Sequence, residues 1–159
     1  MRNQTHPFRS LRTAAFLLAA ASLLGLPALA AADTVNISNA TVRGQQETVL
    51  TNAHGMTLYY IARPGPQPCV GASCARIWPP LIAPYGKFTA PASLRGKLSV
   101  IRGPFGPQLA YTGHPLYGFI GDSRPGQANG QGLHDPWGVW WMATPAQGTS
   151  QARSSGSSW

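Results

Sequence analysis

Four groups of residues in this chain have types and spacings suited to chemistry: carboxylates, histidines, a cysteine pair and a dense set of aromatic rings. A hydrolase needs one carboxyl group to deliver a proton and a second to activate water or attack, and Asp122 with Asp135 is the pair available. The simpler role for Asp122 is in Asp122-Ser-Arg-Pro-Gly, where an aspartate caps a turn by accepting backbone N–H bonds. His54, Met56 and His114 offer imidazole and thioether, ligands that suit copper or haem in exported proteins. His134 adds another imidazole, but no H-x-H or H-x3-H spacing sets two of them side by side.

Cys69 and Cys74 stand in the run PCVGASC. In an oxidising compartment two thiols this close, with Gly71 between them, are expected to form a disulfide across a tight loop. C-x-x-C and C-x-x-C-H are both absent, and a copper site on the two sulfurs is the alternative. Tyr59, Tyr60, Trp78, Tyr111, Tyr117, Phe119, Trp137, Trp140 and Trp141 crowd one part of the chain, and most belong in a core. Strand alternation sends Trp140 and Trp141 to opposite faces. Trp137, Trp140, Trp141 and Tyr117 are therefore the candidates to line a groove for a glycan, a peptide or a small apolar ligand. Ser-His-Asp order, a Gly-rich phosphate loop and a Gly-x-Ser-x-Gly elbow are all missing, which leans the reading away from an enzyme.

These residues must be held by a chain that is short of charge. Of 159 residues 10% are charged, while 18 Gly and 15 Pro make up about a fifth, a composition that disfavours long surface helices. The formal charge of +8 suggests a nucleic-acid binder until its positions are read. Arg2, Arg9 and Arg12 precede the apolar run Thr13 to Leu26, which is followed by Pro27 and Ala28-Leu29-Ala30. Basic start, short apolar stretch and small-x-small site form a secretory signal, with cleavage expected after Ala30 or Ala32. Its apolar centre falls short of the ~20 residues that span a bilayer. Without it the charge drops to about +5, dispersed from Arg43 to Arg153 with no basic run or aromatic RNA-binding signature, so no nucleic-acid partner is expected.

The body reads as short strands over Glu47 to Leu50, Met56 to Ile61, Leu98 to Ile101, Gln108 to Tyr111, Pro115 to Ile120 and Val139 to Met142, each near turn-forming residues. No dozen-residue window shows a helical stripe. Residues 31–46 read as an extended lead-in or, at Val35, Ile37 and Val42, a short exposed strand, Trp78 to Ala92 as a proline-stiffened loop, and residues 147–159 as a disordered tail. Laid on itself, the chain repeats: Gly55-Met-Thr-Leu-Tyr-Tyr-Ile61 matches Gly113-His-Pro-Leu-Tyr-Gly-Phe119. A Pro-Gly turn follows each, then Trp78-Pro79 in one copy and Pro136-Trp137 in the other. The fold class expected is all-β, two degenerate repeats over about 49–92 and 98–146 sharing one core within 47–146. Neither half is large enough to be secure alone.

The run GMTLYYIARP, then CVGASCARIWPPL, then GPFGPQLAYTGHPLYGFIGDSRPGQANGQG and a Trp-rich end resembles the bacterial family of secreted repeats of unknown function, whose members are described as lipoproteins with a Y-x-[FWY]-x-x-D motif. The resemblance runs from Val49 to about Met142. Tyr117, Phe119 and Asp122 fit the motif; the first copy departs from it with Tyr59, Ile61 and Pro64. The lipobox cysteine of many members is absent, which implies a free periplasmic or secreted form. The resemblance implies an architecture and no established activity. Together the residues point to an exported, non-catalytic module that binds an envelope ligand or protein. A copper- or haem-binding protein using His54, Met56 and His114 and a carboxylate hydrolase are the alternatives.

Overall fold

The computed structural model describes Met1, residues 34–95 and residues 97–147. The expected signal segment beyond Met1, and the expected tail beyond Gln147, lie outside the described residues. The chain divides into two units between Ala30 and Ala31.

Among the described residues there are eight strands: β1 (Val35–Val42), β2 (Gln45–Asn52), β3 (Tyr59–Pro64), β4 (Leu98–Gly103), β5 (Gly106–Tyr111), β6 (His114–Pro115), β7 (His134–Asp135) and β8 (Gly138–Met142). They form three antiparallel sheets in the orders β1-β2, β3-β8-β7 and β4-β5-β6. The fold is all-β, as its composition suggests. Two short helices, α1 (Ala72–Ile77) and α2 (Ala92–Arg95), depart from the sequence reading. Neither is long enough to show a periodic apolar stripe over a dozen residues, which is why none was visible.

Within 31–46 the strand alternative is the one present over Val35–Val42, although it is not wholly exposed. β1 pairs with β2 from Val35 opposite Asn52 to Val42 opposite Gln45, and Val35 and Ala40 are buried. The connection is Arg43-Gly44, with φ of 49° and 82°. Such two-residue turns match the right-handed twist of the strands they join. Thr112-Gly113 makes the same turn between β5 and β6, with φ of 49° and 85°.

Beyond β6 the expected strand Pro115 to Ile120 does not continue as a ladder. Tyr117 instead sits between two neighbours in single bridges, with Tyr59 and with Pro80. The proline-rich loop after Trp78 is thus partly strand-like. Leu81 donates its N–H to Leu116 O at 2.9 Å, and Gly118 donates to Pro79 O at 2.8 Å. Pro80 lies between these bonds, at a position where no N–H is required.

The two halves use the same backbone scheme. In the first, Leu58 N–H donates to Leu50 O at 2.9 Å; in the second, Leu116 N–H donates to Leu109 O at 2.8 Å. Ala143 completes the first half by accepting from Leu50 N–H at 2.8 Å and donating to Leu58 O at 2.7 Å. Leu81 completes the second, accepting from Leu109 N–H at 2.8 Å and donating to Leu116 O at 2.9 Å. The segment ending each half therefore closes the strands of the other. Leu50, Leu58, Leu109, Leu116 and Ala143 share one aliphatic core, to which α2 adds Leu94. A second cluster, built on Tyr59, Trp78, Tyr117 and Trp140, is aromatic.

Candidate functional site

The exchanged segments bring Trp78 and Trp140 to matching places, three residues before Leu81 and Ala143. The sequence comparison had set Trp78-Pro79 against Pro136-Trp137; the backbone bonds set Trp78 against Trp140. Their rings stack at 3.9 Å between centroids and 9° between planes. Phe119 stacks on Trp78 at 4.4 Å and 28°. Tyr59 meets Trp78 edge-on at 5.6 Å, and Tyr117 meets Trp140 edge-on at 5.2 Å, the geometry that the ring quadrupoles favour.

Two aspartates fix this stack from its polar edges. Asp135 Oδ2 accepts from both indoles, Trp78 Nε1–H at 2.7 Å and Trp140 Nε1–H at 2.9 Å. Its Oδ1 accepts the backbone N–H of Trp137 at 2.9 Å and of Gly138 at 3.0 Å. Asp122 is buried; its Oδ2 accepts from Tyr59 Oη–H at 2.6 Å and its Oδ1 from Asn129 N–H at 2.8 Å. Gly130 N–H reaches Tyr59 Oη at 3.3 Å. A Cβ on Gly130 would lie 2.8 Å from the Tyr59 ring and 2.9 Å from that of Trp78, so only glycine fits there.

Burial pushes the Asp122 carboxyl above the usual carboxylate range, against the bonds from Tyr59 and Asn129 that lower it. Burial likewise raises the Tyr59 phenol strongly, and Asp122 adds to the effect, so Tyr59 remains a protonated donor. Asp122 accepts one backbone N–H as a cap would, that of Asn129, but not those of the Ser123-Arg124 turn that directly follows it. Gln127 Oε1 does that work, accepting from Ser123 N–H at 2.7 Å and Arg124 N–H at 3.2 Å. Every oxygen of Asp122 and Asp135 has a protein donor, and each carboxylate holds its own set of partners.

Cys69 and Cys74 are joined in a disulfide with 5.4 Å between their Cα atoms. The bond fastens the start of α1, whose end delivers Trp78: Trp78 N–H donates to Cys74 O at 2.8 Å. Both sulfurs are thus withdrawn from ligation as thiolates. His54 is exposed in the β2–β3 turn, where Asn52 Oδ1 accepts from the N–H of His54 and of Met56. His114 lies on β6 against the Tyr60 ring, at 4.9 Å. Among the described residues no three His, Cys, Asp or Glu side chains converge as a metal site would require.

The groove candidates separate. Trp140 and Tyr117 are buried in the stack and line no surface, and Trp137 packs on the same cluster. Trp141 points the other way and is 49% exposed. It stands opposite Tyr60 across β3 and β8 at the wall of a concavity of about 620 Å³ that also includes Arg63, His114, Gln131 and Gln147. Tyr60, Arg63 and Gln131 were missed from sequence; the signal for Tyr60 was its place opposite Trp141, legible only once the strand register is known.

Residues 100–144 match the family model described as a secreted repeat of unknown function. The segment is similar to that repeat. It takes in β5, β6, the Tyr117 bridge, Asp122, Asp135 and the Trp140 strand, and so most of the second half. The first half lies outside the matched residues, as its departures at Ile61 and Pro64 would suggest. No curated protein and no solved structure matches the chain. Among the described residues no helix is long and apolar enough to cross a membrane.

Proposed function

We propose that this protein is an exported, non-catalytic binding module of the cell envelope, periplasmic or secreted, that takes its ligand against Trp141 on the outer face of β3 and β8. The family description and the disulfide support export. The observation that carries the binding reading is the contrast among the tryptophans. Trp78 and Trp140 are fully buried and Trp137 is partly so, whereas Trp141 keeps half its surface in solvent beside a concavity of ligand-binding size. An indole in that position gives a ligand an apolar face, and the neighbouring amides and hydroxyls give it hydrogen bonds.

The test is a binding screen against envelope glycans and peptides, read by tryptophan fluorescence and calorimetry, on the wild type and Trp141→Ala. The expected result is a ligand bound by the wild type and lost in the variant at unchanged melting temperature. A ligand held equally well by Trp141→Ala would overturn the reading.

A further inference from the structure

Trp141 does not border one concavity but two. On its second side lies a space of about 520 Å³ that includes Arg43, Glu47 and Gly132. Trp141, Gln131 and Met142 belong to both walls, so the indole forms a ridge between adjoining spaces. A single small molecule would need only one of them. A chain of linked units fits both, with one unit on each side of the ridge.

The chemistry of the walls narrows the class further. The face is that of β8, which is hydrogen-bonded on one side to β3 and on the other to β7. An added peptide strand would find no free ladder on β8 itself. What the face offers is side chains: the rings of Trp141 and Tyr60, the hydroxyl of Thr144 and the amide of Gln131. Gln131 Oε1 accepts from Met142 N–H at 2.8 Å, which leaves its NH2 group as the donor on the shared wall. Thr112 Oγ1 and both polar atoms of the Gln147 amide are buried with no hydrogen-bond partner and are closed to a ligand in the larger space. Ring faces with flanking amides and hydroxyls suit a sugar, whose C–H face stacks and whose hydroxyls both donate and accept.

Charge decides the kind of sugar. The larger concavity has Arg63 and His114 and no carboxylate; the smaller has Arg43, with Glu47 as its one acid. An arginine on each side of the ridge matches a carboxylate on each of two linked units.

We infer that the ligand is a linear acidic oligosaccharide lying across Trp141, with uronate carboxylates directed to Arg43 and Arg63. The inference rests on the reading of Trp141 as the binding surface and adds to it the ligand's class, charge and minimum length.

The experiment is calorimetric titration of the mature protein with galacturonate and mannuronate oligomers of one to six units, and with the same oligomers methyl-esterified. Affinity is expected to be absent for the monomer and to rise as both spaces fill. Esterification, which keeps the shape and removes the charge, is expected to weaken binding about tenfold. Arg43→Gln and Arg63→Gln are each expected to weaken the acidic oligomers by about the same factor and to leave the esters unchanged, with melting temperatures checked for each. Equal affinity for acid and ester, or for monomer and hexamer, overturns the inference and leaves Trp141 as a binding surface for another class. No binding by any uronate overturns it outright, and the Trp141→Ala screen then decides the broader reading on its own.

Discussion

Tyr59 and Tyr117 exchange both of their backbone hydrogen bonds: Tyr59 N–H donates to Tyr117 O at 2.8 Å and Tyr117 N–H to Tyr59 O at 2.9 Å. They are also the same position of the two sequence copies. Equivalent residues that bond reciprocally are arranged as a local pseudo-twofold would place them, and Trp78 and Trp140 stack as a second matched pair. From this arrangement it follows that each half lacks a strand without the other. Fragments 31–95 and 97–147 are expected to be unstructured separately and to regain near-ultraviolet circular dichroism on mixing. Cooperative melting of either fragment alone would contradict the exchange.

Asp135 is the acceptor for two indole N–H groups at once. Asp135→Ala strands both donors inside the aromatic cluster, and each unsatisfied buried group costs about 1–3 kcal/mol. Denaturant melts should show a loss of about 2–4 kcal/mol and weaker near-ultraviolet dichroism from the Trp pair. Asp135→Asn, which keeps one acceptor oxygen, should lose less. A loss under about 0.5 kcal/mol in the alanine variant, the level of an ordinary surface change, would show that the indoles find other partners.

Asp122 couples stability to pH. Unfolded, it ionises near the ordinary value of 3.8; folded, burial holds its proton to higher pH. The folded state therefore binds more protons across that interval. The contribution of this group is full below 3.8 and declines as pH rises through the higher folded value. Asp122→Asn should fold, lose about 1–3 kcal/mol through the impaired bond to Tyr59, and show a flatter stability profile above pH 4 than the wild type. An unchanged profile would mean that Asp122 ionises alike in both states.

The Cys69–Cys74 bridge closes a short loop and should contribute about 2 kcal/mol by restricting the unfolded chain. Because α1 is only one and a half turns long, an isolated helix of its length is not stable. Reduction, or Cys69→Ser with Cys74→Ser, should lower the denaturation midpoint and loosen Trp78, seen as reduced Trp dichroism. Identical melts with and without reductant would remove the bridge from the fold's support.

Much of this fold was legible because strands announce themselves locally. Leu98 to Ile101, Gln108 to Tyr111 and Val139 to Met142 fall within β4, β5 and β8, and the copies at Tyr59 and Tyr117 were visible as a repeat. What sequence could not give was pairing between distant segments. The bond from Tyr59 to Asp122 joins a first-copy ring to a second-copy acid, so a reading of the Asp122 turn by itself assigns the carboxylate to its nearest backbone. Trp137 was matched to Trp78 because both adjoin proline, whereas the partner of Trp78 is set by which strand Leu81 and Ala143 complete. Trp140 and Trp141 are neighbours in sequence with opposite fates, and only burial distinguishes the structural ring from the one open to a ligand.

The crossed closing strands also bear on how such a chain could arise. A polypeptide holding one copy would present an unclosed hairpin and a loose Trp segment, and would satisfy both only by pairing with a second identical molecule. Joining two copies in tandem turns that concentration-dependent encounter into an internal one, at an effective concentration on the order of millimolar for a short flexible connection. Linkage removes the dependence on finding a mate. It also frees each copy to diverge, which is how one half can keep Asp122 while the other carries Pro64.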